Sequence, residues 1–121
     1  MTNKKTLVIG ASTNPARYSY LAVHSLRRNG HDVVALAKKE GCLLYISIQT
    51  NFPENKDIHT VTMYVGPNRQ DEYYQQIIDL KPERVIFNPG TENPLFKELL
   101  KENEIEAVEA CTLVMLNTGQ F

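Results

Sequence analysis

Ten consecutive residues near the start of this chain carry most of its chemical options. Gly10-Ala11-Ser12-Thr13-Asn14-Pro15-Ala16-Arg17-Tyr18-Ser19 combines one glycine, four small hydroxyl or amide side chains and a guanidinium. A glycine lets backbone come close to a ligand. Hydroxyls and amides both donate and accept, and Arg17 offers a planar fork of donors suited to phosphate. The spacing is not that of a dinucleotide fingerprint, G-x-G-x-x-G, because Ser12 and Pro15 stand where the second and third glycines belong. The segment suits a phosphate-bearing ligand held differently from NAD. Its plainer reading is a polar turn between a strand and a helix.

Three further turns combine flexible or polar residues in the same manner. They are Lys38-Lys39-Glu40-Gly41, Tyr64-Val65-Gly66-Pro67 and Asn88-Pro89-Gly90-Thr91. An NAD site places an acid after the second strand to hold the ribose hydroxyls. Lys38 and Lys39 occupy that place here, which favours a ribose with an extra phosphate, as in NADP or coenzyme A. One of the two lysines reads as an ordinary solvated residue. An NADP-dependent oxidoreductase is the alternative reading, weakened by the missing glycines and by the lack of a Tyr-x-x-x-Lys pair.

Elements that would position these turns alternate along the chain. Thr6 to Ile9 is a short apolar run ending at Gly10, as a strand buried on both faces requires. Ser19 to Asn29 is helical in pattern, with Arg27 and Arg28 at its negative end and Gly30 as the stop. Strands are predicted at Asp32–Ala37, more weakly at Tyr45–Gln49, and at His59–Val65. Asn68 with Asp71 reads as the capping box of a helix bearing Tyr73, Ile77 and Leu80, ended by Lys81-Pro82. Arg84–Phe87 is the next strand. Asn93-Pro94 opens a helix with Leu95, Phe96, Leu99 and Leu100 inward. Ile105–Val108 gives a short last strand, and Thr112 caps a final helical turn. Such alternation predicts an α/β Rossmann-like, doubly wound parallel sheet of five to six strands, order 3-2-1-4-5-6. Helices cover both faces, in a single domain over residues 1–121.

The chain has 121 residues, 13 basic and 14 acidic, a net charge of -1 and a 42% hydrophobic fraction. That balance argues against a nucleic-acid surface, and no apolar run is long enough to span a bilayer. Met1 to Thr6 is polar and leads into a strand, so no secretory leader is expected and the protein is expected to be cytoplasmic. Cys42 and Cys111 form neither a disulfide framework nor a metal spacing. Cys42, near lysines, could pair with a ligand thiol, but a loop cysteine without a role is the simpler reading. His24 reads as a packed helix residue, while His31 and His59 fall at the amino ends of strands, away from the turns above. Glu92 could act as a base, yet it is explained as an acid at a helix start. Tyr73, Tyr74 and Tyr20 are core by period, whereas Tyr18 and Tyr64 are placed to touch a ligand.

Gly10-Ala11-Ser12, Pro15, Arg17 and Ser19 resemble the G-A-S-x-x-P-x-R-x-S opening of small stand-alone CoA-binding proteins. These are similar to the CoA-binding Rossmann domain of the succinyl-CoA synthetase alpha subunit. The resemblance extends through Tyr64-Val65-Gly66-Pro67, Asn88-Pro89-Gly90 and Glu109-Ala110-Cys111. It implies that Gly10 to Ser19 hold the pyrophosphate and part of the pantetheine arm, with the Lys38 and Tyr64 turns along the adenosine end. Two departures concern the adenine side: Ala37-Lys38 replaces a glycine or Asn-Pro pair, and Cys42-Leu43-Leu44-Tyr45 is unusually apolar. The synthetase's phosphorylated histidine and nucleotide-binding subunit have no counterpart here.

The resulting expectation is a protein that binds coenzyme A or an acyl-CoA at the carboxyl ends of the strands, non-catalytic or regulatory. A CoA-site subunit of a multi-subunit acyl-CoA ligase is a further alternative. The binding residues expected are Gly10, Ala11, Ser12, Thr13, Asn14, Pro15, Arg17, Tyr18, Ser19, Lys38, Lys39, Tyr64, Val65, Gly66, Pro67, Asn88, Pro89 and Gly90. No catalytic or metal-ligating residue, nucleic acid or membrane is expected. Composition leaves monomer and homodimer both open.

Overall fold

The computed structural model describes residues 3–54 and 57–121. Strand β1 (Thr6–Ile9) lies inside the sheet with all four side chains buried. An apolar run without polar alternation is what a strand covered on both faces needs. β2 (Val33–Leu36) pairs with it in parallel on one side and β5 (Thr60–Met63) on the other. β6 (Arg84–Phe87) and β7 (Glu106–Glu109) continue outward from β5, also parallel. β4 (Ile46–Gln49) continues outward from β2.

Alternation along β1 sends Leu7 and Ile9 to one face and Val8 to the other. The first face is covered by α2 (Tyr74–Leu80) and α3 (Pro94–Glu102), through Ile77, Leu80, Phe96 and Leu100. The second is covered by α1 (Tyr18–Arg28) and α4 (Thr112–Asn117), through Val23, Leu26 and Leu116. The sheet is therefore doubly wound. Its topological reversal falls between β1 and β5, and this is where such sheets open a crevice.

The six expected strands keep their expected order, but among the described residues the sheet has seven, β3-β4-β2-β1-β5-β6-β7. The additional strand β3 (Gly41–Leu43) pairs antiparallel with β4 at the edge. Its two-residue turn, Leu44-Tyr45, has φ of 49° and 67°. Positive φ at both positions is what the twist of a tight hairpin demands, and Asn-Gly usually supplies it. With Leu-Tyr there, the hairpin carries no sequence signature, so the segment read as an apolar loop. Three residues make a short edge, which limits pairing with other chains.

Helix starts also differ from expectation. Asn68 makes no capping bond; the chain coils through two short 3-10 turns, Pro67–Arg69 and Asp71–Tyr73, before α2 begins at Tyr74. The cause is Gln70, fully buried, which ties this stretch to the neighbouring loops. α2 ends at Lys81 in the left-handed region (φ 54°), ahead of Pro82. Asn93 caps α3 as predicted, accepting from the Phe96 amide at 3.0 Å. Leu95, expected inward, is 65% exposed, and α3 buries Phe96 and Leu100 instead. Cys111, not Thr112, occupies the cap position of α4. His24 is exposed on α1 and is not packed.

Candidate functional site

Gly10 turns the chain at the end of β1 with φ 95°, a conformation that L side chains rarely adopt. The Gly10 and Ala11 amides both donate to Leu36 O, at 2.8 and 3.1 Å, while the Tyr64 amide donates to Ile9 O at 2.9 Å. The loop after β1 is thus tied to β2 while the start of the loop after β5 stays tied to β1. A Cβ on Gly10 would lie 3.0 Å from Tyr64 O and 3.1 Å from Val65 Cγ2. Glycine is required here for the close crossing of two loops.

Between these loops lies a cleft of about 520 Å³ at the carboxyl ends of β1, β2, β5 and β6. From the first loop and α1 it is walled by Gly10, Ser12, Arg17, Tyr18 and Ser19. From β2 come Ala37 and Lys38; from β5, Tyr64, Val65 and Gly66; from β6, Pro89, Gly90 and Thr91. α1 starts at Tyr18 with no side chain capping its amides and no acid in its first turn. An uncapped helix start presents free N–H groups and the positive end of the dipole, which attracts anions. Among the described residues, Arg17 has no ion-pair partner, so its donors are free beside that helix start. The first loop is shaped by its own side chains: Ser12 Oγ accepts from the Asn14 amide and Asn14 Oδ1 from the Ala16 amide, both at 3.0 Å.

Several expected residues stand apart from the cleft wall. Ala11 is buried beneath it, and Thr13, Asn14, Pro15, Lys39 and Pro67 do not line it. Thr13 instead packs toward Gly41, where a Cβ would come within 2.8 Å of its methyl. Asn88 is buried and its amide is fully used. Nδ2 donates to Thr62 Oγ1 (2.7 Å) and Met63 O (2.9 Å), and Oδ1 accepts from the Thr112 amide (2.9 Å). It fastens β6 to β5 and α4 and supports the floor.

Sequence reasoning missed Arg69, Glu72 and Thr91 as cleft residues and Tyr73 as more than core. The 3-10 turns bring the first two in, and no periodic signal marks such turns. Gln70 was also missed: Nε2 donates to Val65 O and Thr91 O, each at 2.8 Å, and Oε1 accepts from Asn93. It holds two cleft loops in fixed relation. Among the described residues no buried side-chain nitrogen or oxygen lacks a partner, so the floor is a closed network.

Lys38 does reach the cleft, but its ammonium is paired with the Glu72 carboxylate and lies 5.8 Å from the Tyr73 ring centre. The hydrogen bond that it donates to Glu72 raises its pKa. Both partners are solvent-accessible, and an exposed pair of this kind is weak. Burial pushes the Tyr64 phenol up to about 12, so it stays neutral. His31 and His59 lie at the amino ends of their strands, far from the cleft, as read from sequence.

Sheet order, reversal point and cleft define a Rossmann-like α/β fold. Residues 4–117 match the model of the CoA binding domain family, and the chain belongs to that family. No curated protein matches it. A crystal structure of a protein described as uncharacterized is 45% identical, with a TM-score of 0.97 and 100% coverage of both chains. A hypothetical protein from Pyrococcus horikoshii OT3 is 24% identical at a TM-score of 0.87, over 96% of this chain and 83% of that one. Aspartate dehydrogenase from Thermotoga maritima, 18% identical at 0.60 over 90% of this chain and 46% of its own, shares the fold alone.

Proposed function

We propose that the protein binds coenzyme A or an acyl-CoA in the cleft between β1 and β5, as one binding domain with no chemistry of its own. The observation that carries this reading is the uncapped start of α1 beside the unpaired Arg17, in a chain of the CoA-binding family. The pyrophosphate lies against the α1 amides and Arg17, where backbone donors and a fixed guanidinium meet negative charge without rearrangement. The likeness of Gly10 to Ser19 to the opening of small stand-alone CoA-binding proteins supports the same placement. Lys38 and Arg69 flank the adenosine end.

Thermal unfolding with CoA and with NAD tests the assignment. A ligand at about 100 times its dissociation constant stabilises by about 2.7 kcal/mol, and each kcal/mol moves the midpoint of a domain this size by roughly 2–8 °C. CoA should raise the midpoint and NAD should not; equal shifts would remove the CoA assignment. Arg17→Ala should leave the fold intact and weaken CoA binding by about 1.5–3 kcal/mol, the worth of a charge-assisted bond. Unchanged affinity would make Arg17 a bystander.

A further inference from the structure

The cleft has a side chamber. A second hollow of about 240 Å³ lies between Tyr18, Tyr64, Asn88, Pro89, Cys111 and Leu113. Tyr18, Tyr64 and Pro89 wall both spaces, so a ligand in the cleft can extend past them into the hollow. The two spaces differ in chemistry. The cleft has Arg17, Lys38 and Arg69, whereas no cation lines the hollow, whose walls are mostly carbon. Asn88, the amide side chain of the hollow, is spoken for. Both Asn88 amide protons and its oxygen are bonded to Thr62, Met63 and Thr112, and the half-buried Tyr64 phenol carries no charge.

We propose that this hollow is the acyl subsite of the protein, taking a short uncharged acyl group in preference to one that ends in a carboxylate. The proposal rests on the binding reading above and adds the ligand class to it. Charged phosphates occupy the polar cleft, and the uncharged end of the same molecule turns into the apolar chamber. With less than half the volume of the cleft, the chamber suits a few carbons and not a long chain. A carboxylate entering it would lose water and meet no cation among the described residues that line it, which is costly.

Calorimetric titration of the wild-type protein with CoA, acetyl-CoA, butyryl-CoA and succinyl-CoA tests this. Each buried methylene strengthens binding by up to about fourfold, so butyryl-CoA should bind up to about 15-fold tighter than acetyl-CoA. Succinyl-CoA, with the same number of acyl carbons, should bind at least about tenfold more weakly than butyryl-CoA. Leu113→Trp, which fills the chamber, should bring the butyryl-to-acetyl ratio toward one. A second readout needs no variant. Butyryl-CoA should slow alkylation of Cys111 by iodoacetamide, read by mass spectrometry, while the exposed Cys42 reacts at its free rate. Adenosine 3′-phosphate 5′-diphosphate, which lacks the pantetheine arm, should leave Cys111 as reactive as before. If all CoA species bind with equal affinity and Cys111 stays unprotected, the subsite is overturned while the binding reading stands. If none binds, both fall.

Discussion

At Gly10 two constraints coincide: a φ that L residues avoid and a loop crossing in which a Cβ would lie 3.0 Å from Tyr64 O. Gly10→Ala is therefore expected to lower stability by ~1–3 kcal/mol, the cost of a strained backbone position, before any ligand is considered. Urea unfolding checks it; a loss of under half a kcal/mol would show that the loops give way easily. Lys38 presents the opposite case, a residue whose sequence position is informative but whose charge is already shared. Freeing it should sharpen discrimination for the ribose phosphate. Wild type should favour CoA over dephospho-CoA only modestly, Glu72→Gln should raise the preference by about five- to thirtyfold, and Lys38→Ala should abolish it. The effect should shrink with salt. Identical ratios in all three proteins would assign the ribose phosphate to another group, and Arg69 would be the next to replace. Lys39 lies outside the cleft and should matter little.

The β3–β4 hairpin is the element built against local preference. Leu44 and Tyr45 hold positive φ, and Tyr45 is fully exposed, so neither strain is offset by burial of the tyrosine. A left-handed L residue costs roughly 1–2 kcal/mol. Replacing the pair by Asn-Gly should raise stability by ~1–2 kcal/mol in urea unfolding, because this pair adopts the turn without penalty. A drop in stability would mean that the leucine, half-buried against the core, contributes more than the turn costs. The helices behave in the expected way where the cap is local, as at Asn93. They depart from expectation where a distant partner intervenes, as when Gln70 holds the chain in 3-10 turns ahead of α2.

For the whole molecule, the amino edge of the sheet controls response to acid. His31 is buried and His59 half-buried near Lys4 and Arg84, and burial first, then those cations, lower both pKa values; Glu83 opposes this at His59. The unfolded chain thus binds protons before the folded one. Stability is full above pH 6.5 and falls as pH drops through that value, until the folded histidines also protonate. His31 adds a geometric reason, since Nδ1 accepts from the Lys4 amide at 3.0 Å and cannot do so once protonated. Urea unfolding at pH 8 and pH 5 should show the loss, and His31→Asn, whose Oδ1 can accept the same bond, should flatten it. A profile flat from pH 8 to 5 would exclude this linkage.

The strand runs, the parallel order and the turn at Gly10 were legible in the sequence because each depends on nearby residues: burial on both faces, a helix stop, a glycine ending a strand. The family resemblance was legible for the same reason, being carried by ten contiguous residues. The hairpin, the Gln70 tie, the pairing of Lys38 with Glu72 and the apolar chamber were not. The hairpin is local but its Leu-Tyr turn carries no turn signature, while the other three join residues distant in the chain, by bonds to buried polar groups, a shared charge or packed walls. Such pairings have no period and no fixed spacing, and only the packed sheet with its crossovers brings them within reach.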